Sequence, residues 1–310
     1  MQRLARLLLP ALLLVAFTGC ATARIPQFEA FASAGTSYTQ AVTGLITEVG
    51  ESAVNANSVK LLQNRALATV SLSDFNQQDK DMRDYLTDLR HLQLQTTLLG
   101  NYFQALADLA TSSAPQSFAT EVQSVATSLV GVTEQVRGTS IADASEIESA
   151  AGSVGGLVVK EIQGRELKRE LEARKQTISD ILQLQLVLLA ALSEQAEANE
   201  RFTTALDYDQ EVVSPFIAGQ VSSATQSTWM SERYTLLSQP VLVTQVKTAA
   251  EAARSLEQAW NKLLSNDLTT EDVQAITDEL APVLASLDAL KSAKSQTTTT
   301  TTTTTGASQP

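Results

Sequence analysis

RELKRELEARKQTISDILQLQLVLLAALSEQAEANERFTTALDYD, residues 165–209, decides the fold. It spans about 45 residues without a proline or glycine. At 1.5 Å per residue that is one helix of roughly 68 Å. Leu167, Leu171, Ile178, Ile181, Leu188 and Leu192 recur in steps of three and four, with Arg174 and Gln185 as polar interruptions of the same stripe. Such a stripe lies along one helix face and needs another element to cover it. From Ile181 to Leu192 the apolar residues cover nearly every side. That pattern marks a core helix surrounded by others. The sharper alternative is a concealed membrane-active segment, as in toxin-like helical bundles, although Gln183 and Gln185 interrupt it and it is too short to span a bilayer.

The rest of the chain repeats this periodicity. Phe28, Phe31, Gly35, Tyr38, Val42, Leu45 and Val49 form one stripe. Met82 through Ala110, Phe118 through Val136, Leu242 through Leu263 and Val273 through Leu290 form four more. No stretch alternates with period two, so strands are not expected. Punctuation marks the ends. Ser73 or Asp74 suits a helix start, Pro115 suits a first turn, and Gly138 to Ser140 suit a turn. Ser265-Asn266-Asp267 closes a helix, and Thr269 with Asp272 caps the next. The expected fold is all-α, an elongated antiparallel bundle with long helices. The segments Asp74–Ser112 and Arg165–Asp209 are expected to pair with each other, since long helices need continuous partners. Pro215 and Pro240 bracket an irregular stretch.

The N-terminus carries a different signal. Arg3 and Arg6 precede an apolar run from Leu7 to Phe17, signal-peptide sized and shorter than a spanning helix. Thr18, Gly19 and Cys20 follow. This stretch resembles the lipobox of bacterial lipoproteins, although Phe17 stands where that class prefers leucine. The resemblance covers the first twenty residues only. It implies cleavage before Cys20, lipid on that cysteine, and a mature protein held to a membrane. Ala21 is not the aspartate that retains many such proteins in the inner membrane, so the outer membrane is favoured. The division that follows is a signal peptide at 1–19, a lipidated cysteine and linker at 20–27, a helical bundle at 28–293, and a tail at 294–310. The tail holds Thr297 to Thr305 and is expected to be disordered, because it has no apolar surface to bury.

Composition narrows the function. Cys20 is the only cysteine and His91 the only histidine. Disulfides, thiolate metal clusters and multi-histidine sites are therefore out of reach, and so is a Ser-His-Asp triad away from His91. Removing Arg3 and Arg6 from 22 basic residues leaves 20 against 34 acidic ones, a net charge of −14. Such a surface repels nucleic acid and anionic headgroups. No cofactor is expected and no enzymatic role. Gly152, Gly155 and Gly156 match no phosphate-binding motif and suit close packing or a hinge. The acidic groups Asp79, Asp81, Asp84, Asp88 and Asp207, Asp209, Glu211 lack an EF-hand pattern and suit solvated helix faces. The stretch from Val212 to Pro240 is the richest in residues enriched at interfaces. A partner site is expected there, on Phe216, Trp229, Met230 and Tyr234. The function expected is a non-enzymatic scaffold or adaptor that binds an envelope protein, with a membrane-perturbing bundle as the alternative.

Overall fold

The computed structural model describes residues 25–66, 71–111, 115–151, 166–238 and 241–304. Cys20, the signal-peptide stretch and Gly152 to Gly156 lie outside the described residues. All regular structure among the described residues is helical. The helices are α1 (Ile25–Ala66), α2 (Leu72–Thr111), α3 (Pro115–Arg137), α4 (Ala144–Ala151), α5 (Glu166–Asp207), α6 (Ser214–Ile217), α7 (Gln226–Ser238), α8 (Val241–Ser265) and α9 (Thr270–Thr304). A π-helical segment, Tyr208–Val213, joins α5 to α6. The fold is an all-α bundle of long helices.

The predicted stripes become its core. Phe28, Phe31, Tyr38, Val42, Leu45 and Val49 of α1 are buried, and so are Val273, Ile276, Leu280, Val283 and Leu287 of α9. At one end, the Phe31 ring meets Phe103 edge-on at 5.6 Å and Trp260 at 5.9 Å. A Cβ at Gly35 would stand 2.5 Å from the Phe103 ring, so α1 and α2 approach closely only because residue 35 has no side chain.

Helix pairing differs from expectation. Leu72–Thr111 packs along α1, and Glu166–Asp207 packs along α8; contact between α2 and α5 is slight. The connections explain this. Few residues separate α1 from α2 and α8 from α9, and short connections place consecutive helices side by side and antiparallel. α1 then sits at the centre, against α2, α5, α8 and α9.

The two polar interruptions of the α5 stripe are buried, and each finds partners. Gln185 accepts a 2.6 Å hydrogen bond from the Tyr38 hydroxyl and donates to Thr96 Oγ1 at 3.2 Å, tying α5 to α1 and α2. Arg174 Nε donates to Glu170 Oε1 at 3.0 Å within α5. Burial, then the nearby Glu170 charge, pushes the Tyr102 hydroxyl well above its usual range. The Ile181–Leu192 segment packs as a core helix. Ile181, Leu182, Leu184, Leu188, Leu189 and Leu192 are buried, and Leu186 and Val187 are half-covered beside α4.

Helix α1 is described from Ile25 and buries Phe28. One helix start is corrected. The cap of α2 is Ser71, not Ser73 or Asp74. Ser71 Oγ accepts from the Asp74 N–H at 3.2 Å, and the Asp74 carboxylate accepts from the Ser71 N–H at 3.0 Å. Asp74 is thus the acidic half of a reciprocal cap. Ser71→Ala is expected to lower stability by about 1 kcal/mol in urea denaturation. The cap of α9 forms as expected on Thr269 and Asp272. Lys262 across the turn holds the Asp272 carboxyl below its usual range. Helix α9 passes through Pro282, and its described bounds are Thr270–Thr304. Residues 305–310 lie outside the described residues.

Candidate functional site

The candidate site is a helical hairpin at one end of the bundle. Helix register fixes which end. Trp260 Nε1 donates to the Lys175 carbonyl at 3.1 Å beside Phe31, and Tyr38 meets Gln185. Helices α1 and α5 therefore run parallel, and Lys175 lies level with Phe31. Roughly forty residues of nearly continuous helix separate Lys175 from Phe216, or about 60 Å. The hairpin stands at the end of the bundle farthest from Ile25.

Its base is pinned at Glu200. The Glu200 carboxylate accepts the Leu242 N–H at 3.1 Å, which satisfies a free amide at the start of α8. Burial raises the pKa of this carboxyl, opposed by the Leu242 and Val243 amides. Beyond Glu200 the chain continues helically through the π segment. Proline has no N–H and its ring crowds the carbonyl four residues back. The Ser214 N–H bonds the Asp209 carbonyl five residues back, and this wider turn lets the helix continue past Pro215. The helix ends at Ile217 and residues 218–225 are non-helical, so this part of the stretch is irregular as expected, while Gln226–Ser238 is helical. The hairpin turns at Gly219, whose φ of 67° suits a residue without a Cβ.

Helix α7 then returns antiparallel along the π segment. Trp229 Nε1 donates to the Val212 carbonyl at 3.0 Å, and Arg233 Nε donates to the Tyr208 hydroxyl at 3.3 Å. The Phe216 and Trp229 rings stack at 5.7 Å. The four expected partner-site residues thus share one hairpin. Trp229 is half-buried and acts as its support, while Phe216 and Met230 are more than half exposed and Tyr234 is 74% exposed.

The structure adds residues that the sequence reading did not assign to the site. Ile217 is 77% exposed, and Leu237 is exposed beside Tyr234. Met230, Tyr234 and Leu237 follow the i, i+4, i+7 spacing of a helix stripe, and that spacing was the available signal. A hollow of about 360 Å³ is lined by Trp229, Met230, Arg233, Tyr234 and Leu237. A second, of about 570 Å³, shares Leu237 and lies toward Glu200 and Val243. Leu62, Leu72 and Phe75, where α1 gives way to α2, are exposed at the same end. Among the described residues, the exposed large apolar side chains away from this end are Leu94 and Val54.

The acidic groups behave as solvated faces. Asp79 pairs with Arg83, Asp81 accepts from Gln77, and Asp88 accepts from Ser140. Among the described residues no three His, Cys, Asp or Glu side chains are grouped as a metal ion would need. His91 is half-buried on α2, a boundary position. The chain matches no family model, no curated protein and no solved structure.

Proposed function

We propose that this chain is a non-enzymatic adaptor of the bacterial cell envelope, tethered through lipid on Cys20, most suitably to the outer membrane. Its bundle is a spacer that presents the hairpin ridge to another envelope protein. The observation that carries this reading is the position of the exposed apolar side chains. Most of them collect toward the end of the bundle opposite Ile25, and those of the hairpin stand about 60 Å from the level of Phe31. Exposed apolar clusters of this kind are rare on monomers and mark interaction surfaces. An upright bundle holds the ridge away from the anchoring membrane, where it is free to meet a protein.

Two variants test the proposal. Cys20→Ala is expected to shift the protein from the membrane to the soluble fraction. Tyr234→Asp, with Cys20 intact, is expected to leave membrane attachment and helicity unchanged and to lose the cross-linked envelope partner. An unaltered cross-linking pattern would sink the ridge as the binding surface.

A second reading, a membrane-perturbing bundle, draws on one observation. The helix from Arg169 to Ile217 is long and apolar enough to cross a membrane by length and composition, though 61% of its most apolar window is buried. Dye release from liposomes by the full chain would favour it, and inertness across lipid compositions would dismiss it.

A further inference from the structure

The chemistry of the hairpin narrows what binds it. We infer that the ridge takes a basic amphipathic α-helix of a protein partner, an inference that rests on the ridge being a docking surface. Three observations converge on that occupant.

The first is shape. Met230, Tyr234 and Leu237 form a straight stripe about two turns long, with Phe216 and Ile217 at its end. A straight stripe beside a hollow matches the apolar face of one helix, whose side chains fall at the same spacing. The hollow against Trp229, at about 360 Å³, has room for a large anchoring side chain.

The second is charge. Asp207, Asp209, Glu211 and Glu232 lie on the hairpin, and none of them makes an ion pair or a side-chain hydrogen bond. Of the cations on and beside the hairpin, Arg233 is directed to the Tyr208 hydroxyl, and Arg201 and Lys247 at its base both pair with Glu197. A second copy of this ridge would bring like charges together, and an anionic bilayer would do the same. Lysine or arginine flanking an apolar helix face would meet these carboxylates, and complementary charge of this kind both steers and selects a partner.

The third is area. The five ridge side chains leave free about 120 Å² each, or roughly 600 Å² in all, somewhat under the 800 Å² that each side of a standard interface buries. One docked helix fits that extent.

The test uses the full chain in mild detergent and labelled helical peptides of about five turns. One peptide carries leucines on one face and lysines flanking them. A second replaces every lysine with glutamate, and a third scrambles the first. Fluorescence anisotropy is expected to show the basic peptide binding about tenfold tighter than the acidic one, with most of that preference gone at ~0.5 M salt. The scrambled peptide and the Tyr234→Asp protein should show little binding. The triple variant Asp209→Asn, Glu211→Gln, Glu232→Gln should still bind but lose the preference for lysine.

Equal binding of the basic and acidic peptides overturns the inference, as does Tyr234-dependent dimerisation by sedimentation or Tyr234-dependent binding to phosphatidylcholine vesicles. If Tyr234→Asp abolishes the envelope cross-link while no peptide binds, the inference fails and the adaptor reading stands. If neither experiment responds to Tyr234→Asp, both fail.

Discussion

Arg174→Ala is expected to lower stability by about 3–5 kcal/mol, since it leaves a buried carboxylate without its partner. The Arg174 side chain is 4% exposed and that of Glu170 is 1% exposed. Their 3.0 Å bond lies within one helix, so the two charges stay together whenever α5 forms. In water the pair would contribute a few tenths of a kcal/mol. In the core its removal strands Glu170 in a medium that solvates it poorly. The buried Tyr102 hydroxyl, which has no hydrogen-bond partner, is affected by both charges. The measurement is the denaturation midpoint at constant m-value. The double variant Glu170→Leu, Arg174→Met should recover most of the loss, because replacing a whole buried pair with apolar groups is often neutral or stabilising. A loss below about 1 kcal/mol for Arg174→Ala would mean that water reaches Glu170 when the arginine is gone.

Arg174 also illustrates what was legible in the sequence. It stands at a stripe position, so the three-and-four spacing placed it inward, and the structure buries it. Gln185 behaves the same way. Both are interruptions that the core accommodates by hydrogen bonding, and periodicity alone signals their burial but not their partners. Tyr38 is 147 residues from Gln185. The pairing of long helices was illegible for a related reason. The stripe on α2 and the stripe on α8 offer α5 similar apolar faces, and only the complete set of turns decides between them.

The hairpin was half legible. Phe216, Trp229, Met230 and Tyr234 stood out by residue type, and Pro215 and Pro240 marked an irregular stretch, but the π turn that carries the helix to Ile217 had no such signal. Its position at the far end of the bundle came from register, which no local pattern encodes. The lipobox is the reverse case. It is a local motif in residues 17–20, read from side-chain order, and it lies outside the described residues.

The adaptor reading requires the bundle to act as a stiff spacer. Its cross-links sit at intervals along the long axis: the Phe31–Phe103–Trp260 cluster near the start of α1, the Tyr38–Gln185–Thr96 bonds beyond it, and Glu200 beneath the hairpin. Each joins different helices, so bending the bundle at any of these levels would break a buried contact. Beyond Glu200 the Trp229 and Arg233 bonds and the Phe216–Trp229 stack are ties local to the hairpin. The ridge is thus a less constrained element on a firmly packed base, as binding segments usually are.

Trp260→Ala tests both the core and this division of labour. Trp260 is fully buried, meets Phe31 of α1, and donates to the Lys175 carbonyl of α5. Removing the ring leaves a large cavity where three helices meet, and the expected loss is about 3–5 kcal/mol. Trp260→Phe keeps most of the apolar contact but gives up the hydrogen bond, for a loss of about 1–2 kcal/mol. The site lies roughly 60 Å from the hairpin, so a spacer predicts that the folded Trp260→Phe protein captures its partner with unchanged affinity. Tyr234→Asp predicts the converse, an unchanged denaturation midpoint with lost capture. Combined, the two variants should show additive effects, as distant sites without shared partners do. If Trp260→Phe weakens capture in fully folded protein, the bundle transmits changes from its base to its tip, and the reading of a passive spacer fails.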